Sequence, residues 1–457
     1  MHDLIVIGAG PGGYAAAEHA GRHGLSVALV ERDRLGGTCL HRGCVPTKAY
    51  LHASSVAAEA AACAPEALTG FDRRRMFDWK NETVETLTKG VSLLMKSAKV
   101  AVYEGSATLL TAAAPFAVRV TGADGSAQTL EARHVILATG GAPSRLPVPG
   151  CDDPAVWTSD DLLGEPGTQP FTSLLIVGGG VIGAEMASIY ARLGVTVTVL
   201  EAEKRCLPML DAELGRSAEL LLKGLGVTVW TEARLQSLRR EGDGFAAAFI
   251  RNGEEQVVTA ERALLATGRR PVTDGLFGEG VAPALNGRLI AVDEHFRTSL
   301  PGVYAIGDLN GLHQLAHAAH AQAVAAVSDL LGEPSPVDPT LVPGCVYTAP
   351  EIATVGMTAD EARERGRAVV VGKALTTQNA RSLIEGLGRG FIKLVFDRDT
   401  HRLKGAQLFC GRATDLVGEL ALAIRTGLTA EQLAGTVRPH PTFEEAITDA
   451  AQAARFA

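Results

Sequence analysis

The chain has 457 residues, 46% hydrophobic and 21% charged, with 51 Gly and 21 Pro, which rules out a single small module and a largely disordered chain. Lys+Arg number 43 against 51 Asp+Glu, a formal charge of −8, so no basic field exists to gather nucleic acid or anionic lipid. No apolar run approaches the roughly 18 residues of a membrane span, and Met-His-Asp lacks the basic start of a signal peptide, so a cytoplasmic location is expected.

In chain order, the first predicted unit is the apolar strand Leu4-Ile-Val-Ile running into Gly8-Ala-Gly10-Pro-Gly-Gly13, an Ala-rich amphipathic helix, and a second strand ending at Glu31. Residues 174–201 repeat it at a constant offset, with Gly178, Gly180, Gly183 and Glu201 in the same places. In each copy the first Gly permits the tight turn, the second lets backbone approach a pyrophosphate, and the third lets helix pack close to strand. The phosphates then meet the positive end of the helix dipole. Glu31 and Glu201 sit where a carboxylate accepts from the ribose hydroxyls of an adenosine and repels a 2′-phosphate. A lone G-x-G-x-x-G is a weak signal; two copies with matching strands, helices and terminal acids predict a duplicated β-α-β unit.

Between the copies lies Gly36-Gly-Thr-Cys39-Leu-His-Arg-Gly43-Cys44-Val-Pro46-Thr-Lys48. The other five of the seven cysteines are scattered, unlike a secreted disulfide framework. On a regular helix, residues five apart have Cα atoms roughly 8.6 Å apart, whereas a disulfide tolerates about 7 Å. A bond between Cys39 and Cys44 therefore requires a distorted helix, which Gly43 and Pro46 allow, and would be reducible rather than a staple. Two unrelated thiols, or half a metal site, are the alternatives; no second Cys pair completes a zinc cluster.

Farther on, Val135-Ile-Leu-Ala-Thr139-Gly140-Gly and Ala263-Leu-Leu-Ala-Thr-Gly268-Arg both read as strands ending at a sharp turn beside a ligand, and both as domain crossings. Gly302-Val-Tyr-Ala-Ile-Gly-Asp308 is another short strand. His313, His317 and His320 share one face of a predicted helix, a metal-like spacing more simply explained by cofactor packing or solvent, so no metal is expected. Pro334–Thr340 is a linker to a last segment that carries Tyr347-Thr-Ala-Pro-Glu-Ile-Ala-Thr-Val-Gly356 and His440-Pro-Thr-Phe-Glu-Glu445. His440 between two prolines is held on a stiff backbone. Thr442 to Glu445 also reads as a capping box, a structural task for Glu445 that is compatible with orienting His440.

Taken together, these motifs resemble the pyridine-nucleotide disulfide oxidoreductases over essentially the whole chain, and within that family the dihydrolipoyl dehydrogenase branch. The resemblance implies an α/β chain with two Rossmann-like dinucleotide-binding domains, for FAD and NAD, and a C-terminal α+β dimerisation domain. Its boundaries would be 1–145 for FAD binding, 146–268 for NAD binding, 269–338 for a return segment of the FAD domain and 339–457 for dimerisation. It places Gly8, Gly10, Gly13 and Glu31 on the FAD adenosine diphosphate, with Ala107, Thr139 and Gly140 nearby. Asp308 goes to the flavin side, Ala316 and His317 to the flavin ring, and Lys48, paired with Glu185, near flavin N5. Gly178, Gly180, Gly183, Glu201 and Gly268 fall to NAD.

By the same resemblance Cys39 is the interchange thiol, Cys44 the flavin-side thiolate, and His440, oriented by Glu445, the base. Electrons would pass from dihydrolipoamide through a Cys39–Cys44 disulfide and FAD to NAD. The implied partners are a lipoyl-bearing protein, as in a 2-oxo acid dehydrogenase or glycine cleavage complex, or a small dithiol, with a homodimer whose active sites are shared. Another disulfide reductase of the family, for glutathione or a related thiol, is the alternative: His41-Arg42 and Ala318-Ala319-His320 depart from the commonest pattern, and Lys204 and Arg205 stand near Glu201. Mercuric reductase is disfavoured because the C-terminus carries no cysteine pair. Intact Cys39, Cys44 and His440 argue against a non-catalytic docking subunit.

Overall fold

The computed structural model describes residues 1–64 and 71–456. Strand β1 (His2–Ile7) is the centre of a seven-stranded sheet, parallel to β2 (Val27–Glu31) on one side and to the strand Ala127–Leu137 on the other. Both faces of β1 are covered, so Leu4, Ile5 and Val6 are fully buried and the strand reads as an unbroken apolar run. Helix α1 (Pro11–Arg22) buries Ala15, Ala16, Ala17 and Ala20. These small side chains let it lie close against the helix Ala316–Leu331, which buries Ala318, Ala319 and Ala323. That long-range contact brings the two ends of the first unit together, and Val303–Ala305 completes its sheet by pairing parallel to Ala127–Leu137.

The repeat is real at the level of backbone. A second, five-stranded parallel sheet is built around Ser173–Val177, with Thr196–Leu200 and Arg262–Leu265 on its flanks and the helix Val181–Arg192 following the glycines. A three-stranded antiparallel sheet, Arg234–Glu241, Gly244–Arg251 and Glu254–Ala260, packs beside it. The chain enters and leaves this unit through one ribbon, in which Gly141–Pro143 pairs antiparallel with Arg269–Pro271. Gly140 (φ 71°) and Gly268 (φ 102°) turn the chain there in the left-handed region that glycine alone adopts at little cost. Each Gly carbonyl accepts from the other crossing: Val272 N–H to Gly140 and Ser144 N–H to Gly268, both at 2.9 Å.

The last segment folds as a five-stranded antiparallel sheet, with Glu351–Gly356, Leu403–Cys410 and Phe391–Asp397 at its centre and the helices Ala413–Thr426 and Glu445–Ala453 packed on it. Lys393, buried in the middle of this sheet, reaches Asp211 (2.9 Å) and Glu213 (3.3 Å) of the second unit and ties the two together. One expectation changes. The predicted helix carrying three aligned histidines begins only at Ala316, so His313 lies in the preceding loop and the three-histidine face does not form. Among the described residues no group of three or more His, Cys, Asp or Glu is arranged to hold a metal ion, and no helix is long and apolar enough to cross a membrane.

Candidate active site

The two glycine loops have nearly the same geometry. Gly8 and Gly178 have φ of 99° and 107°, and a Cβ on either would overlap the carbonyl of Ala138 or Ala266, just past the end of the neighbouring strand. A Cβ on Gly13 or Gly183 would collide with the carbonyl of Gly8 or Gly178, which fixes helix against strand. Gly10 and Gly180 differ: both are helix N-caps without a side-chain cap, and nothing lies within 4 Å of where a Cβ would be. That open space beside unpaired helix N–H groups is the shape and polarity a pyrophosphate needs.

Glu31 accepts from Ala9 N–H (2.7 Å) and Asp33 N–H (2.9 Å). Glu201 accepts from Gly179 N–H (2.6 Å) and Glu203 N–H (2.7 Å). Each acid therefore clamps its own loop while remaining at the strand tip, with lone pairs left for ribose hydroxyls. Arg205 is turned away, donating to the carbonyls of Pro208 and Leu210, so it does not offset the charge of Glu201. Ala107, in the strand Ser106–Leu109, follows Gly105, whose N–H donates to the carbonyl of Glu31 (2.8 Å); it thus stands next to the tip of β2.

The cysteines occupy two helices, a short one and a long one, rather than a single helix. Helix α2 (Gly37–Arg42) stops at Gly43 (φ −140°, ψ −112°), and α3 (Cys44–Cys63) starts anew. A Cβ on Gly43 would come within 3.0 Å of the Thr38 carbonyl, so glycine is what allows the two turns to close on each other. The thiols of Cys39 and Cys44 are hydrogen-bonded to one another and differ in character. Cys44 is drawn down to about 7, first by the hydrogen bond from Cys39, with burial opposing and the Lys48 ammonium assisting. Cys39 is pushed up by that same hydrogen bond and by burial. One thiolate is thus stabilised, and it is on Cys44.

One turn into α3, Lys48 Nζ donates to both carboxylate oxygens of Glu185 (3.0 and 2.9 Å) and sits 4.3 Å from the ring centre of Tyr347. Glu185 is buried and also accepts from Tyr347 N–H (3.0 Å). Lys48, on the first unit, is thereby held by the second unit and by the C-terminal segment. Asp308, in the short 3-10 turn Gly307–Leu309 that follows the strand Val303–Ala305, pairs with Arg269 (3.4 Å) and packs against Gly141; burial raises its pKa and Arg269 opposes the rise. Ala316 begins its helix with no side-chain cap, leaving N–H groups free, and His317 Nε2–H donates to the Pro343 carbonyl (2.7 Å). Thr139 Oγ1–H donates to Val272 (2.6 Å) and braces the crossing beside Gly140. Gly268 opens the returning arm of the same ribbon.

His440 and Glu445 form a pair at 2.9 Å through Nδ1 and Oε1. Because an ionised carboxylate only accepts, Nδ1 carries the proton and Nε2 is left as the basic nitrogen. Glu445 Oε2 accepts from Thr442 N–H (2.9 Å), so one carboxylate caps the turn and orients the histidine, and those two contacts lower its pKa, the Thr442 one most. His440 is 72% exposed. It does not line the cavity beside Cys39, which is formed by Pro11, Tyr14, Cys39, Ala316, His317 and His320. Of the predicted site residues, Cys39, Ala316 and His317 line that cavity, whereas the His440–Glu445 pair stands apart from it.

Models of two domains match the chain: the pyridine nucleotide-disulphide oxidoreductase domain over residues 2–323, and the dimerisation domain of the same family over residues 342–451. The chain belongs to the pyridine nucleotide-disulphide oxidoreductases. Similar curated proteins include the dihydrolipoyl dehydrogenases of Chlorobaculum parvum (38% identical, covering 99% of this chain and 97% of the relative) and Halobacterium salinarum (40%, covering 98% and 95%). Among solved structures, LpdA of Mycobacterium tuberculosis superposes with a TM-score of 0.90 at 30% identity, covering 98% of this chain and 99% of that one. The HOCl-induced flavoprotein disulfide reductase RclA of Escherichia coli, as its Cu(II) complex, superposes at 0.87 and 27%, covering 99% of both chains.

In this oxidoreductase four residues near the site have no fingerprint of their own. Tyr14 faces the cysteines; burial first, then the charges at Cys39 and Cys44, hold its hydroxyl protonated. Tyr347 braces the Lys48–Glu185 pair, Arg269 neutralises Asp308, and His320 faces the cavity beside Cys39. Tyr347 and Arg269 do lie inside quoted motifs, so proximity to those motifs was the available signal. For Tyr14 it was only its helical spacing from Gly10, whereas His320 already stood out as one of the aligned histidines.

Proposed function

We propose that this protein is a dihydrolipoyl dehydrogenase, a dithiol–disulfide oxidoreductase working with FAD and NAD. The observation that carries the reading is the asymmetric Cys39–Cys44 pair, opened at Gly43, beside the Lys48–Glu185 pair and between two dinucleotide loops. Full-length similarity to dihydrolipoyl dehydrogenases supports it.

In the oxidised state the two cysteines form a disulfide. A substrate thiol gives its proton to His440 Nε2, and the thiolate attacks Cys39 Sγ; the S–S bond breaks and Cys44 leaves as the thiolate that Lys48 favours. The second substrate thiol then attacks its own sulfur in the mixed disulfide and releases Cys39, which takes up a proton. The product is a substrate disulfide and a Cys39/Cys44 dithiol, so the two electrons now reside on the protein. Gly8, Gly10, Gly13, Glu31, Ala107, Thr139, Gly140, Lys48, Asp308, Ala316 and His317 would hold FAD, and Gly178, Gly180, Gly183, Glu201 and Gly268 would hold NAD; bound there, the two cofactors would supply the hydride chemistry that removes those electrons. The dithiol arrives on a lipoyl-bearing protein of a 2-oxo acid dehydrogenase or glycine cleavage complex. His440 comes from the second chain of a homodimer.

Turnover of dihydrolipoamide with NAD, compared with glutathione disulfide and NADH or NADPH, tests the assignment. Dihydrolipoamide with NAD should be the fastest combination. Faster reduction of glutathione disulfide by NADPH would replace this reading with that of a glutathione-type reductase.

A further inference from the structure

The cavity of about 260 Å³ beside Cys39 is walled mostly by carbon, from Pro11, the Tyr14 ring and Ala316. Its polar groups are few and mostly committed. Cys39 is the thiol attacked, His317 is spent on the Pro343 carbonyl, and the Tyr14 hydroxyl is half-buried and kept protonated, first by burial and then by the charges of the cysteines. His320 is different. It lies one turn beyond Ala316 on the same face of the helix Ala316–Leu331, is exposed, and has no side-chain hydrogen bond or ion pair among the described residues.

An uncommitted imidazole at the mouth of an otherwise apolar cavity can do little for the sulfur chemistry, since His440 is already paired for that purpose. It is suited to the polar end of a substrate whose dithiol is separated by a short alkyl chain from an acyl group. We infer that His320 is a specificity-determining residue that donates a hydrogen bond to the acyl oxygen of the dithiol substrate, an amide or a carboxylate. The inference rests on the dithiol reading above and adds to it the group that selects acylated dithiols. An amide oxygen accepts one such bond, and a carboxylate accepts it more strongly.

The test compares dihydrolipoamide, dihydrolipoate and butane-1,3-dithiol, which has the same dithiol spacing and no acyl group, on wild type, His320→Ala and His320→Gln. Flavin content is matched in each preparation. His320→Ala should raise KM for the two acylated substrates about three- to tenfold, the worth of one hydrogen bond, with the loss confined to KM. Butane-1,3-dithiol should show no such rise. His320→Gln, which retains a donor, should recover most of the loss for the amide.

An equal KM change for all three dithiols, a loss in kcat alone, or unchanged KM values throughout would each overturn the role given to His320 while leaving the dithiol chemistry intact. Wild-type enzyme that fails to turn over dihydrolipoamide would instead overturn the functional reading itself. The two failures are therefore distinguishable in one experiment.

Discussion

At the scale of single residues, the two cysteines are unequal because their surroundings are. Cys44 has the Lys48 ammonium and the Cys39 hydrogen bond on its side, and its thiol is drawn to about 7; Cys39 is moved the other way. In the reduced protein, thiolate at Cys44 is protonated below that pH and forms above it. Absorbance of thiolate should thus rise as pH increases through about 7, and Cys44→Ser should abolish that step. Lys48→Met removes a cation that favours the thiolate, so the step should move to higher pH; an unmoved midpoint would detach Lys48 from Cys44. Either Cys39→Ser or Cys44→Ser should cut dithiol turnover by at least about a thousandfold with FAD still bound, since neither side chain belongs to a nucleotide loop. Glu201 carries two tasks, clamping the Gly179 loop and facing the ribose. Glu201→Ser should therefore lower kcat/KM for NAD by roughly tenfold or more and narrow its advantage over NADP, the change coming from lost NAD affinity.

At the scale of the elements, the glycines of each loop separate into those that hold the fold and those that hold the ligand. Gly13 and Gly183 touch backbone carbonyls that cannot move away. Gly10 and Gly180 face open space with extended dihedrals that any residue adopts. Gly183→Ala should destabilise the protein by about 2 kcal/mol through overpacking. Gly180→Ala should leave the melting temperature nearly unchanged and weaken NAD binding while FAD is retained. The pair of measurements, thermal unfolding and NAD titration, distinguishes the two roles; a Gly180→Ala protein with normal NAD affinity would mean the open space beside that helix end is not the phosphate site.

At the scale of the whole molecule, His440 stands outside the cavity of its own chain, on the segment matched to a dimerisation domain. Under the proposed function, a twofold interface would give each site one chain's cysteines and the other chain's histidine. Co-expressing Cys44→Ser with His440→Ala, each inactive alone, should return about a quarter of wild-type activity, because half the dimers are mixed and one of their two sites is intact. Samples shown by mass to contain heterodimers yet without activity would place both groups in one chain.

Much of this was legible in the chain itself. The duplicated Gly8 and Gly178 loops, the acids at Glu31 and Glu201, and the need for a break between Cys39 and Cys44 follow from local sterics and helical geometry, which act over a few residues and leave a periodic mark. The same is true of the double duty of Glu445, three residues from Thr442. What only tertiary structure decided involves partners far apart in sequence. Tyr347 closes on the Lys48–Glu185 pair that the family resemblance implied, Arg269 turns to Asp308, Arg205 turns away from Glu201, and His320 rather than His313 shares the cavity with Cys39. Those pairings are set by the parallel sheets, the crossing ribbon and the close contact of α1 with the helix Ala316–Leu331. Such contacts have no period along the chain, because they depend on which elements packing brings face to face, and only the folded molecule assembles them.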